Sequence, residues 1–304
     1  MKTRLVALLC QVMAAMAIVT IPAARASAAS TIESEFAVAG PYATTTGSYT
    51  DSGGRSYTLY YPSSYSALGF KSPIVTWGNG TNASPSMYST LLSHLASWGF
   101  TIIGSNLANT GSGNEIADGA NDMIALNSTS GSGFYGNLDT LHVAAVGHSQ
   151  GAGGSVNAAN NDSAITAVMT FSLPNTQWVG TNPDCPTKSV CMYYPNKLTV
   201  PIFFVSTHGF LDSIIASPST ETAFYNSVPG KAALGIITNS GGKAADHNSI
   251  QNTANGGNPA GELGYPTAWL LYELRGNSTA KGAFSGASPE LLTNSNWPGS
   301  LTKA

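Results

Sequence analysis

Runs of apolar residues alternate with amphipathic stretches along most of this chain. Short apolar or alternating runs predict strands, and stretches with apolar residues three and four positions apart predict helices. The predicted strands span residues 55–61, 73–77, 100–104, 141–146, 165–171, 201–205 and 233–237. The predicted helices span residues 87–98, 115–126, 153–160 and 267–274. This order favours an α/β fold with a mostly parallel sheet and helices on both faces.

The predicted helix over residues 87–98 has one apolar face. Leu91, Leu92, Leu95 and Trp98 form one apolar stripe, which we assign to the core. Ser84 and Pro85 precede the stripe and suit a helix cap and a first turn. Sheets of this kind carry their functional sites at the carboxyl ends of the strands, so the loops that follow each strand are the places to look for chemistry.

The loop after the strand over residues 141–146 carries the most informative motif. It reads Gly-His-Ser-Gln-Gly, from Gly147 to Gly151, and small residues that can begin a helix follow it. A G-x-S-x-G turn between a strand and a helix is a nucleophile elbow, which lifts the serine hydroxyl above the sheet. Glycines at its two ends leave out the Cβ atoms that would clash in so tight a turn. We therefore predict that Ser149 is a catalytic nucleophile.

A serine nucleophile needs a histidine as base and an acid that orients it. In folds built around such an elbow, both follow the nucleophile in the chain, first the acid and then the histidine. Downstream of Ser149 the sequence contains His208 and His247. His247 follows the strand over 233–237, and Asp212 follows the strand over 201–205. The base takes the serine proton and the carboxylate orients the base. We assign these roles to His247 and Asp212.

Other residues compete for the same roles. His208 is the alternative base, although its position in the chain order suits the role less well. Asp184 precedes the strand that should carry the acid, and Asp246 is adjacent to His247, which makes orientation difficult; we interpret Asp246 as a solvated loop residue. His148, beside the nucleophile, is interpreted as a structural residue of the elbow.

Negative charge on the substrate oxygen requires two backbone N–H donors. The amide of Gln150 follows the nucleophile at the start of a helix and is the first candidate. The second should come from the loop Trp77-Gly78-Asn79-Gly80-Thr81, whose glycines allow close approach to a substrate. We predict Gly80 for this role and keep Asn79 as the alternative.

The amino-terminal segment predicts export. Lys2 and Arg4 precede an uncharged run over residues 5–22, and Ala24-Arg25-Ala26 fits a small-x-small cleavage site. A membrane anchor is the alternative, but small residues dilute the run and no other stretch approaches the roughly 20 apolar residues that span a bilayer. We expect a signal peptide over residues 1–26, one catalytic domain over 27–304, and a secreted or periplasmic protein without stable membrane insertion.

Composition narrows the possible partners. The chain of 304 residues is 42% hydrophobic and 9% charged, with 12 basic and 15 acidic residues. Such values describe a globular protein. Loss of Lys2, Arg4 and Arg25 with the leader makes it more acidic, and no basic stripe suits nucleic acid. We expect a monomer that binds an ester or polyester substrate and needs no cofactor and no metal.

Two cysteines remain after removal of the leader. Cys185 and Cys191 lie in the loop PDCPTKSVC, and in an oxidising compartment this pair predicts a local disulfide. Two free thiols are the alternative. A metal site is disfavoured because no histidine or third cysteine is near in sequence.

Four stretches together resemble the secreted cutinase and poly(ethylene terephthalate) hydrolase group, in the dienelactone-hydrolase-like branch of the α/β-hydrolases. They are the run over residues 77–105, the run LDTLHVAAVGHSQGAGGSVNAANND, and TVPIFFVSTHGFLDSI followed by GGKAADHNS. The resemblance covers most of residues 40–275. It implies an α/β-hydrolase fold, a cofactor-free esterase, a triad of Ser149, Asp212 and His247, and oxyanion amides near Gly80 and at Gln150.

The chain also departs from that group. Polyester hydrolases of this type usually have an aromatic residue at the position aligned with Gly80 and a methionine at that of Gln150. These enzymes also usually have a tryptophan after the strand that follows the elbow. This chain has Leu173-Pro174-Asn175 there, with Trp178 nearby in the sequence. We expect Trp77 and Trp178 to line the substrate pocket.

Together these features predict a secreted serine ester hydrolase of the carboxylesterase, cutinase or polyester hydrolase type, acting through an acyl-enzyme on Ser149. A lipase, or an amidase or peptidase with the same triad, is the first alternative, because fold and triad do not fix the substrate. A catalytically silent, polymer-binding protein with a hydrolase fold is the second.

Overall fold

The computed structural model describes residues 31–304, so the predicted signal peptide over residues 1–26 lies outside the described residues. Eleven strands occur in this part of the chain. They are β1 (Thr44–Thr50), β2 (Ser56–Pro62), β3 (Ser72–Gly78), β4 (Thr101–Ser105), β5 (Leu138–His148), β6 (Ala167–Phe171), β7 (Ile202–Thr207), β8 (Ala232–Ile237), β9 (Asn239–Ser240), β10 (Lys243–Ala244) and β11 (Leu301–Lys303).

Nine of these strands form one sheet in the order β1-β2-β4-β3-β5-β6-β7-β8-β11. The strands from β4 to β8 in this order run parallel, and β1, β2 and β11 pair antiparallel at the two edges. Strands β3, β4, β6, β7 and β8 are buried at every position, which explains why they read as continuous apolar runs. The two-residue strands β9 and β10 form a separate hairpin.

Helices cover both faces of the sheet. They are α1 (Thr31–Ala37), α2 (Ser89–Ser97), α3 (Asn114–Ser128), α4 (Gln150–Asn161), α5 (Lys188–Cys191), α6 (Phe210–Ile215), α7 (Pro218–Ser227), α8 (Gly264–Arg275) and α9 (Ser278–Lys281). Side chains of α1, α2, α8 and α9 pack in one core layer, and those of α3, α4 and α7 pack on the opposite face. The predicted fold class is confirmed: this is an α/β-hydrolase fold.

Every predicted strand and helix has a counterpart, with differences at the ends. The helix predicted over 87–98 begins at Ser89, because a short 3₁₀ turn over Pro85–Tyr88 precedes it. The helix predicted over 153–160 begins directly after Ser149, at Gln150. Within residues 31–304, no helix has both the length and the apolar character that a bilayer crossing requires.

Candidate active site

Ser149 occupies the sharp turn between β5 and α4. Its backbone has φ 53° and ψ −122°, a conformation that non-glycine residues rarely adopt and that is enriched at functional sites. A Cβ atom on Gly147 would meet the backbone of Gly151, and one on Gly151 would meet the backbone of Gly78. Both glycines of the motif are therefore required by direct backbone contacts.

Ser149, His247 and Asp212 are joined by hydrogen bonds. The Nε2 atom of His247 lies 3.0 Å from Ser149 Oγ, and its Nδ1 atom lies 2.7 Å from Asp212 Oδ1. Because a carboxylate only accepts, Nδ1–H donates to Asp212 and Nε2 is left to accept the serine proton. This is the arrangement in which an imidazole acts as general base toward a serine.

The carboxylate of Asp212 is fully buried at the start of α6 and is held on both oxygens. Oδ1 faces His247, while Oδ2 accepts hydrogen bonds from Ser172 Oγ at 2.8 Å and Thr207 Oγ1 at 2.6 Å. Two hydroxyl donors compensate the loss of water around this oxygen. Ser172 has a positive φ of 49° in the loop after β6, so this donor also sits on strained backbone.

Two further buried carboxyl groups, those of Glu221 and Glu262, interact electrostatically with Asp212. Burial, reinforced by the charge of Asp212, raises the pKa of Glu221 and of Glu262 well above the ordinary value. Glu221 Oε1 accepts the Leu173 N–H at 2.8 Å. Oε2 of Glu221 and Oε1 of Glu262 have no hydrogen-bond partner within residues 31–304. Burial therefore favours the neutral form of both glutamates.

His148 is a structural residue that connects three loops. Its Nε2 atom lies 2.8 Å from the carbonyl oxygen of His247, so Nε2–H donates there and Nδ1 accepts from the Tyr88 hydroxyl at 2.9 Å. Tyr88 in turn accepts the Gly80 N–H at 3.1 Å. Burial, followed by the neighbouring His247, lowers the pKa of His148 well below its usual value, so it stays neutral. Burial raises the pKa of Tyr88 to about 12.

Among the described residues, the side chains of the competing residues take no part in the hydrogen bonds that join Ser149, His247 and Asp212. His208 is exposed, and Asp184 accepts hydrogen bonds from the backbone and side chain of Ser112, at 2.8 and 2.5 Å, far along the chain from the acid position. The interpretation of Asp246 as a solvated residue is wrong. It is half-buried, because its carboxylate accepts backbone N–H groups at the start of α6 and from His247.

Both residues predicted for the oxyanion hole, Gln150 and Gly80, line the same cleft as Ser149. Gln150 is the first residue of α4, and its side-chain Oε1 accepts the Thr110 N–H at 3.2 Å. Gly80 lines the same cleft as Ser149, but its amide is engaged by Tyr88 as described above. Asn79 is buried, and its side-chain amide bonds the carbonyls of Ser105 and Leu107. Thr81 follows Gly80 in the same loop. Its backbone amide makes no hydrogen bond within residues 31–304.

A cleft of about 490 Å³ opens over Ser149. One side carries the polar groups of the triad and the Gly80 to Thr81 loop, and the other is mainly apolar. The apolar wall consists of Pro174, Trp178, Val179, Leu211, Ile214 and Ile215. Trp178 is half exposed, and its indole N–H donates to the Ile214 carbonyl at 2.9 Å, which fixes the ring against α6. An apolar wall opposite a nucleophile suits an uncharged acyl or aromatic group.

Trp77 does not line this cleft, contrary to the prediction. It is fully buried, it packs on Tyr88 and Phe171, and its indole N–H donates to Asn79 Oδ1 at 3.0 Å. The reason is its place inside β3, which is covered on both faces. Trp77 therefore supports the loop of residues 78–81 through Asn79.

Cys185 and Cys191 form the predicted disulfide, with their Cα atoms 5.5 Å apart. The bridge lines the cleft next to Gly111 and Tyr193, so the loop it closes is part of the site's wall. Asp184 lies close to both sulfur atoms, and among the described residues these three side chains come near enough to share a metal ion. Sulfur atoms joined in a disulfide offer no thiolate, so this cluster does not suit a metal.

Several residues of the site were not found from the sequence. Ser172 and Thr207 carry no local motif, and the sheet order brings their hydroxyls to Asp212. Glu221 carries no motif either, and it bonds the Leu173 N–H rather than Asp212. Tyr88 belongs to the apolar segment assigned to a helix, so its hydroxyl gave no separate signal. The position of Thr81 beside the predicted glycine was the one available hint.

Comparison with known proteins agrees with this geometry. A search of curated proteins found no match. A family model described as PET hydrolase-like matches residues 20–269, which includes Ser149, Asp212 and His247. The match spans more than half of the chain, and the protein therefore belongs to the PET hydrolase-like family of α/β-hydrolases, whose members act on ester bonds.

Proposed function

We propose that this protein is a secreted serine ester hydrolase whose catalytic domain spans residues 27–304. The observation that carries the proposal is the continuous hydrogen-bonded series from Asp212 through His247 to Ser149 at the floor of an apolar cleft. Secretion is supported by the amino-terminal sequence pattern and by the Cys185–Cys191 disulfide, since such bonds persist in oxidising compartments.

In the proposed mechanism, His247 Nε2 takes the proton of Ser149 as the hydroxyl oxygen attacks the ester carbonyl. The tetrahedral intermediate collapses when the protonated imidazole returns this proton to the leaving alcohol, which gives an acyl-enzyme. Water activated by the same nitrogen then releases the acid. Asp212 keeps Nδ1 protonated throughout, so the nitrogen facing the serine is always the one free to exchange a proton.

We assign the oxyanion donors to the amides of Gln150 and Thr81. Gln150 N–H lies at the positive end of α4, immediately after the nucleophile. For the second donor, the Gly80 amide is engaged by Tyr88, whereas Thr81 is a lining residue of the cleft whose amide has no partner inside residues 31–304. An unengaged donor needs no rearrangement when charge develops on the substrate.

The apolar wall favours esters with bulky uncharged groups, including polyesters. The test is a substrate panel that grades p-nitrophenyl esters by acyl length and adds a polyester film and an anilide of the same acyl group. We expect turnover of esters, slower or no turnover of the anilide, and loss of all turnover in Ser149→Ala. Anilide cleavage at rates equal to ester cleavage supports an amidase instead. Absence of turnover and of labelling by a fluorophosphonate supports a non-catalytic binding protein.

A further inference from the structure

Asp246 lies directly before the catalytic histidine, and its carboxylate is turned toward the loop that carries the catalytic acid. Oδ1 accepts the Asp212 N–H at 3.1 Å and the His247 N–H at 2.8 Å, and Oδ2 accepts the Leu211 N–H at 3.2 Å. One carboxylate thus bonds the main chains of both triad partners of Ser149. Hydrogen bonds to a charged acceptor are stronger than those between neutral groups.

The neighbouring backbone is shaped to admit this carboxylate. A Cβ atom placed on Gly209 would have the side chain of Asp246 as its three nearest neighbours, at distances that no real side chain allows. Gly209 has φ −65° and ψ 166°, which other residues adopt without strain, so the close approach of Asp246 is the constraint at this position. In the loop that carries His247, the Asp246 N–H donates to Ser249 Oγ at 2.8 Å and so closes a turn.

We propose that Asp246 is a positioning residue that holds Asp212 and His247 in register. The inference rests on the proposed function of the triad. Asp246 does not touch the reacting atoms; it acts through the backbone of the two residues that do. Small displacements of catalytic groups reduce rates strongly, by up to about 100-fold for 1 Å. The loss of this carboxylate should therefore lower kcat while substrate binding in the apolar cleft is kept.

The first test compares Asp246→Ala with Asp246→Asn and with a matched control, Asp162→Ala. Asp162 is also half-buried and accepts a backbone N–H, that of Ala164, at 2.9 Å, but it lies at the far end of α4. We expect Asp246→Ala to lower kcat by about 10- to 100-fold with KM changed less than about twofold. Asp246→Asn, which keeps one acceptor oxygen, should retain more activity. Asp162→Ala should keep kcat within about twofold.

The second test uses Gly209. Gly209→Ala should lower kcat as much as Asp246→Ala in the native background, because the new methyl group displaces the carboxylate. In an Asp246→Gly background, which removes the three nearest atoms, the same alanine should change kcat less than about twofold further. Equal effects of Gly209→Ala in both backgrounds, or Asp246→Ala with native kcat, would overturn the proposal.

A substrate-free measurement separates this inference from the proposed function. The proton between His247 Nδ1 and Asp212 Oδ1 should give a far-downfield NMR signal in the native protein and in Asp162→Ala. We expect the signal to broaden or move in Asp246→Ala, in a protein whose circular dichroism remains native. An unchanged signal in Asp246→Ala contradicts the positioning role even if no ester is ever hydrolysed.

Discussion

Replacement of Glu221 by glutamine should make the stability of the protein less dependent on pH. Glu221 is fully buried, its Oε1 accepts the Leu173 N–H at 2.8 Å, and burial and the charge of Asp212 raise its pKa well above the ordinary value of 4.5. The folded state therefore holds this proton more tightly than the unfolded state does. As pH rises above about 4.5, the unfolded carboxyl ionises first, and the native protein loses stability.

The magnitude follows from this linkage. One proton held only by the folded state lowers the free energy of unfolding by up to about 1.4 kcal/mol per pH unit, until the raised pKa of Glu221 is reached. Glutamine keeps a carbonyl acceptor for Leu173 and has no proton to lose. The free energy of unfolding of Glu221→Gln, relative to that of the native protein, should therefore increase by up to roughly 3 kcal/mol between pH 5 and pH 7.

The assay is urea denaturation at pH 5, 6, 7 and 8. Glu35→Gln, on an exposed side chain of α1, is the matched control for the exchange of a glutamate for a glutamine. If the difference between Glu221→Gln and the native protein is the same at every pH, the argument that Glu221 is buried as a neutral acid is refuted. If the native protein instead becomes more stable than Glu221→Gln as pH rises, the predicted direction of the effect is wrong.

Three further predictions concern the site. Thr207→Val removes the 2.6 Å donor to buried Asp212 without changing side-chain shape, and urea denaturation should show a loss of about 1.5 to 3 kcal/mol; an unchanged midpoint contradicts the role of this hydroxyl. Trp178→Ala should raise KM for long-chain p-nitrophenyl esters at least several-fold more than for the acetate, and equal changes for both esters contradict the proposed wall. The double variant Cys185→Ser with Cys191→Ser should lose about 2 kcal/mol of stability and alter the preference for acyl length, whereas a variant with native stability and native preference contradicts a shaping role for this loop.

The fold and the hydrogen-bonded series of Ser149, His247 and Asp212 could be predicted because their signals are local. Continuous apolar runs gave the buried strands, since strands covered on both faces need no polar side. The motif around Ser149 specifies its own strand, turn and helix. The chain order of acid and histidine then selected Asp212 and His247, and the structure places all three side chains within hydrogen-bond distance.

The remaining features depend on contacts between distant segments. Trp77 was predicted to line the cleft because it adjoins the oxyanion loop, but a side chain inside a covered strand points into the core. Asp246 looked poorly placed to orient His247, and its carboxylate instead turns back to the backbone of both catalytic loops. The engagement of the Gly80 amide by Tyr88 is likewise invisible without the fold.

Covalent trapping tests the central claim most directly. The protein is treated with an alkyl fluorophosphonate, and the site of modification is identified by peptide mass mapping. We expect one adduct, on Ser149, with a much slower reaction in His247→Ala and none in Ser149→Ala. An adduct on another residue, or an unmodified Ser149 in a protein whose ester turnover is nevertheless blocked, would contradict the assignment of Ser149 as the nucleophile.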